Sequence, residues 1–90
     1  MVNNAFKPDW AVHPGEVLAE HMQARGMSQA DVARATGLSR KLVCDIVHGR
    51  NAVTAKTALR LEKVFDLNAE TWLRLQNLWD LHQARGSEAA

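Results

Sequence analysis

The sequence predicts an all-α fold of five helices in one domain. Three observations carry that prediction. Apolar residues recur at helical spacing along most of the chain, with no strand-like alternation. Ser28, Ser39, Thr54 and Asn68 each stand just before such a run, where a short polar side chain caps the first turn. Gly26, Gly37 and Gly49 stand just after three of the runs, where helices stop.

The elements follow in order. Residues 1–12 hold Asn3-Asn4, Pro8 and few periodic apolar positions, so they read as a flexible arm. His13-Pro14-Gly15-Glu16 opens the first helix. Proline suits the first helical position because its missing N–H would be unpaired there, and Glu16 complements the positive helix end. Val17, Leu18, His21 and Met22 share one face. Ser28 starts the second helix, with Asp31 in its first turn and Ala30, Val32, Ala33 and Ala35 as small apolar residues. Leu38 turns inward after Gly37. Ser39 caps a third helix whose apolar side is Leu42, Val43, Ile46 and Val47. Thr54 caps a fourth, with Ala58, Leu61 and Phe65 on one face, Leu59 and Val64 flanking, and Glu62 at the edge. Arg60 and Lys63 are expected in solvent. Asn68 caps a fifth helix running to about Arg85, and residues 86–90 read as a disordered tail. The folded domain is thus expected over residues 13–85.

Composition narrows the function classes. The chain has 90 residues, enough for a single modest core. One cysteine, Cys44, excludes an internal disulfide and a CxxC metal site. There is neither a membrane-length apolar run nor a signal-like N-terminus, so the default compartment is the cytoplasm. His13, His21, His48 and His82 do not pair at zinc-site spacing, and no Gly-rich phosphate loop, nucleophile elbow or carboxylate pair is present. Neither catalysis nor a cofactor or metal is expected.

The net charge of +1 is unevenly distributed. Residues 1–24 carry Lys7 against Asp9, Glu16 and Glu20. Residues 25–50 carry Arg25, Arg34, Arg40, Lys41 and Arg50 against Asp31 and Asp45, a surplus of three positive charges. The rest is neutral. A basic stretch in a nearly neutral chain points to one surface that meets a polyanion.

That stretch coincides with a helix-turn-helix pattern at residues 29–50. Ala33 is small enough for close helix approach, Gly37 makes the turn, and Leu38, Val43 and Ile46 fill the wedge. The steps of four, six and three residues from Ala33 to Gly37, Val43 and Ile46 are more specific together than any one alone. With the wedge inward, Arg40, Lys41, Cys44, Asp45 and His48 remain on the outer side of the third helix, the side that enters a DNA major groove in such motifs. Arg40 and Lys41 suit guanine acceptors or phosphates. Asp45 repels phosphate and is expected to orient Arg40 or Lys41, or to discriminate against wrong sequences. Gln29 and Ser39, at helix N-termini, and Arg50 and Asn51, past the third helix, are phosphate candidates. The competing reading is a helical hairpin with solvated charges.

Trp72, Leu75, Gln76 and Trp79 share a face of the fifth helix, and Leu73, Leu78, Leu81 and His82 occupy much of the rest. So wide an apolar surface needs two coverings. The protomer core is one; the same helix of a second subunit is expected as the other, with Trp72, Leu75, Gln76 and Trp79 as the homodimer contact. The alternative is that Trp72 and Trp79 both fill the protomer core.

His13-Pro14-Gly15-Glu16, Gly26-Met27-Ser28-Gln29, Leu38-Ser39, Ile46-Val47-His48-Gly49-Arg50, the run Thr54-Ala55-Lys56-Thr57-Ala58-Leu59-Arg60-Leu61 and Trp72-Leu73-Arg74-Leu75-Gln76 together resemble the HigA-type antitoxins of the Xre/Cro-like helix-turn-helix group. The resemblance spans about residues 13–82. It implies a Cro/lambda-repressor-like fold, a dimer bound to double-stranded operator DNA, autorepression of the operon, and neutralisation of a HigB/RelE-like toxin ribonuclease that cuts mRNA. Carried over by position, Gln29 and Ser39 would hold phosphate, and Arg40, Lys41, Cys44 and Asp45 would face bases. Cys44 and Asp45 depart from the usual base-reading residue types. A stand-alone Xre-type repressor without a toxin shares the same motif. The arm at 1–12 and the acidic Glu16 and Glu20 are candidate surfaces for a basic toxin.

Overall fold

The computed structural model describes residues 11–89, whose regular structure is entirely helical. Five helices follow one another: α1 (Pro14–Arg25), α2 (Gln29–Thr36), α3 (Arg40–Val47), α4 (Ala55–Glu62) and α5 (Ala69–Ala89). Of the expected arm, only Ala11 and Val12 lie within the described residues, and both are half-buried coil. No helix among the described residues is long and apolar enough to cross a membrane.

The caps form as the sequence predicts. Ser28, Ser39 and Thr54 accept the N–H three residues on through their side-chain oxygens, satisfying donors that the helix itself leaves unpaired. Asn68 does the same for Thr71 N at 2.8 Å. Pro14 opens α1 behind His13, which is the cap itself: its Nδ1 accepts the Gly15 N–H at 2.9 Å.

One core joins all five helices. Leu18 of α1, Val32 of α2, Val43 and Ile46 of α3, Ala58 and Leu61 of α4 and Trp72 of α5 are all completely buried. Phe65 is buried too, although α4 ends at Glu62 and leaves it in the following turn. Gly15 marks the tightest approach. A Cβ there would lie 1.8 Å from the Ile46 carbonyl oxygen, so only glycine lets α1 seat against the end of α3.

The structure corrects the sequence reading in three further places, beyond the earlier end of α4 that leaves Val64 and Phe65 outside it. α5 continues past Arg85 to Ala89, so residues 86–89 are helix rather than a disordered tail. Gly86 does not take the left-handed φ of Gly26, Gly37 and Gly49; a lone glycine inside a helix costs only about 1 kcal/mol, and no proline follows it. Arg60 is not in solvent. Its Nη1 donates to the Thr36 carbonyl at 3.0 Å. The expected dimer contact is divided. Trp72 is fully buried and Gln76 is 7% exposed, so both belong to the protomer's own core, while Leu75 and Trp79 are half-buried. Gln76 is drawn inward because the buried Val53 N–H needs an acceptor, which its Oε1 supplies at 2.8 Å. The apolar residues left outside on α5 are Leu78 and Leu81.

Candidate nucleic-acid interface

The candidate interface is built on α2, the turn and α3. Ser28 and Asp31 make a reciprocal box at the start of α2. Ser28 Oγ accepts the Asp31 N–H at 3.1 Å, and Asp31 Oδ2 accepts the Ser28 N–H at 2.9 Å. The Ser28 N–H, the Ser28 hydroxyl and Arg34 hold the Asp31 carboxyl below its usual range. At the other end, Gly37 takes a φ of 79° and donates its N–H to Ala33 O at 2.9 Å. Side chains at such a φ are strained, which is why glycine stands there. Thr36 Oγ1 donates to Val32 O at 2.7 Å and accepts the Leu38 N–H at 3.2 Å, so the turn is bonded on both sides. Leu38 is half-buried, and Val43 and Ile46 fill the wedge completely.

With that face inward, α3 presents the predicted residues outward. Ser39, Arg40, Lys41, His48, Arg50 and Asn51 are exposed; Cys44 and Asp45 are half-buried. Asp45 organises the group. Its Oδ2 accepts from Lys41 Nζ at 3.1 Å, and its Oδ1 accepts from Arg50 Nε at 3.1 Å. The Asp45 side chain is only 17% exposed, against 86% for Lys41 and 58% for Arg50, so the carboxylate is sheltered and the two cations face solvent. Hydrogen bonding from Lys41, and then from Arg50, holds the Asp45 carboxyl below its ordinary range. Asp45 in turn keeps the Arg50 guanidinium more firmly charged, with a smaller contribution from Cys44. Arg50 Nη2 reaches Cys44 Sγ at 3.5 Å, and the His48 ring N–H donates to Cys44 O at 2.8 Å. Asp45 therefore orients Lys41 as expected and Arg50 beside it. Arg40 forms no ion pair among the described residues and stays uncommitted at the start of α3.

Gln29 is the first residue of α2 and is half-buried. Asn51 and Ser39 lie together on a groove of about 400 Å³ that also takes in Thr54, Lys56, Thr57 and Arg60. Lys56 was not singled out in the sequence, although a signal existed. It is a cation in the first turn of α4, where the helix dipole is positive and the turn has no acidic residue. A positive charge at a positive end weakens the helix slightly and adds to the field an anion would meet. The combined surface carries Arg40, Lys41, Arg50 and Lys56 with the N-termini of α3 and α4, an arrangement that suits phosphate oxygens and base edges.

The chain is similar to known helix-turn-helix proteins. The helix-turn-helix family model matches residues 18–81. Virulence-associated protein I of Dichelobacter nodosus is 39% identical over 75 residues, covering 82% of this chain and 69% of that protein. An addiction module antidote protein of a HigA family from Coxiella burnetii is 37% identical, with a TM-score of 0.82 over 87% of this chain and 86% of that one. The Pseudomonas aeruginosa antitoxin HigA, solved with the higBA promoter, is 34% identical, with a TM-score of 0.84 over 89% and 88% of the two chains. The chain belongs to the helix-turn-helix family and, within it, to the HigA-type antitoxins.

Proposed function

We propose that this protein is a cytoplasmic antitoxin that binds operator DNA as a dimer, represses its own operon and neutralises a RelE-like mRNA-cleaving toxin. The observation that carries the DNA-binding half is Asp45 holding Lys41 of α3 and Arg50 of the turn after it as a cationic pair on one outward side. Arg40, ahead of them, is free to reach bases. Ser39, Asn51 and Lys56 lie where the sugar-phosphate backbone would flank α3, and Gln29 serves the same purpose at α2. The membership in the HigA family supports the antitoxin half.

The dimer contact is placed on the outer part of α5. Leu78 and Leu81 are 50% and 44% exposed, and half-buried Leu75 and Trp79 border them. A two-fold contact there sets two copies of α3 to read half-sites about 34 Å, or roughly 10 base pairs, apart. Exposed Glu16 and Glu20 on α1 lie on an element that contributes nothing to the DNA face and complement a basic ribonuclease.

Fluorescence anisotropy against the DNA upstream of its own gene, with a scrambled duplex alongside and at two salt concentrations, tests the first half. Salt-dependent binding that prefers the upstream duplex is expected. Equal weak binding to both would reduce the motif to a scaffold. Co-expression with a neighbouring gene for a small basic ribonuclease tests the second half. Restored growth is expected, and continued toxicity would leave a stand-alone Xre-type repressor.

A further inference from the structure

Arg60 sits on α4, outside the helix-turn-helix, yet its guanidinium reaches back to the joint between α2 and α3. Nη1 donates to the carbonyl of Thr36 at 3.0 Å, capping the last turn of α2 from a neighbouring helix. It also lies against Gly37, which remains exposed. A Cβ built on Gly37 would lie 2.4 Å from the same Nη1, so a side chain there would have to displace the guanidinium from its place against the turn. Thr36 itself bonds to Val32 O and accepts the Leu38 N–H. The chain direction leaving α2 is thus fixed at Thr36, Gly37 and Leu38, immediately before Ser39 caps α3.

We infer that Arg60 is a positioning residue for DNA recognition: by clamping the Thr36 carbonyl over Gly37 it sets the angle at which α3 is presented. This rests on the DNA-binding reading above. The reason the effect falls on recognition is geometric. Nonspecific affinity comes from charge near phosphates and tolerates small rotations. Base contacts need donors placed within a few tenths of an ångström, so a tilt of α3 removes them first. Arg60 also lines the groove shared with Ser39, Asn51 and Lys56, so a direct phosphate contact is the alternative that the test must separate.

The test is Arg60→Met, which keeps most of the aliphatic stem and removes the donor and the charge. The probes are the duplex upstream of the gene and a scrambled duplex, each titrated over a range of salt with wild type in parallel. Circular dichroism confirms the fold. The expected result is a loss of about tenfold or more on the upstream duplex, little change on the scrambled one, and an unchanged slope of log affinity against log salt. Equal losses on both duplexes, with the slope reduced by about one, would make Arg60 a phosphate contact and overturn the positioning role. A wild-type preference fully retained by the variant would overturn it too. Absence of any preference in wild type would remove the DNA-binding reading and this inference with it. Should Arg60→Met fold poorly, Gly37→Ala alone and combined with Arg60→Met replaces it. The alanine is expected to damage upstream-duplex binding less when the guanidinium it crowds is gone, and simple additivity would count against the clamp.

Discussion

The α2–turn–α3 unit is closed mostly by polar contacts within four residues, with Arg60 reaching it from α4, whereas α5 is held by a buried apolar face and by polar groups farther along the chain. In residues 28–47, the ends of α2 and the start of α3 are closed by Ser28, Asp31, Thr36 and Ser39, all within four residues of their partners. α5 depends on distant groups. Trp72 is fully buried among other helices, Gln76 reaches Val53 across 23 positions, and Glu62 accepts the Ala69 N–H at 2.7 Å. It is also less fully satisfied: Trp72 Nε1 is buried with no partner among the described residues. The unit that presents α3 outward is closed mainly by its own short-range bonds, and α5, on which the dimer contact is proposed, is anchored through Trp72 and Gln76. Recognition geometry is protected where it must be exact to fractions of an ångström, and α5 is left with an outer face that can meet another surface.

The contrast can be broken by substitution. The largest effect is expected from Trp72→Ala, which empties the centre of the core and costs about 3–5 kcal/mol in urea unfolding. Ser28→Ala removes one half of the capping box and should cost about 1 kcal/mol by the same measurement. If the serine change proved the more damaging, the division into a locally held unit and a bulk-anchored helix would be wrong.

A pH-dependent effect sharpens the picture midway along α5, where His13 meets Trp79 edge-on at 5.3 Å. Its Nδ1 is an acceptor, and burial holds the imidazole below its ordinary value of 6.5, with Glu16 and Asp80 pulling the other way. The unfolded chain therefore takes the proton first. His13 contributes fully above about pH 6.5, and its contribution falls as pH drops through the lowered folded value. His13→Asn keeps a capping oxygen and is expected to flatten this part of the urea midpoint against pH. A slope identical to wild type would assign it to other groups.

The smallest effect on the fold is expected from Leu78→Ser with Leu81→Ser. Both residues are about half exposed, so protomer stability should move by no more than about 0.5 kcal/mol. The midpoint should nevertheless lose its dependence on protein concentration, since these residues are proposed to meet a second copy. Sedimentation as a dimer would move the contact elsewhere.

Much of the interface was legible in the chain. Arg40, Lys41, Cys44 and Asp45 share the outward side of α3, and His48 continues it at the cap, because the inward positions are claimed by Val43 and Ile46 and a 3.6-residue period leaves no other choice. Lys56 was readable only as an anomaly of charge at a helix end. The Asp45–Arg50 bond was half legible: the carboxylate's role as an orienter followed from its repulsion of phosphate, but which cation it takes depends on how the chain leaves α3.

The sequence by itself determined the five helices, most of their boundaries and the wedge, because caps, glycine stops and apolar period act within a turn or two of the chain. Only the tertiary structure decided three further matters: which side of α5 belongs to the core, where Arg60 points, and that Gly15 seats on Ile46. Trp72 and Gln76 look alike from the helix period and from a dimer seam. The choice was made by a buried Val53 N–H 23 positions away that had to be paired. Arg60 was drawn from solvent for the same reason, by the last carbonyl of a helix it does not belong to. Unsatisfied backbone groups left at the ends of one segment are met by side chains of another, and no local pattern records which pair will meet.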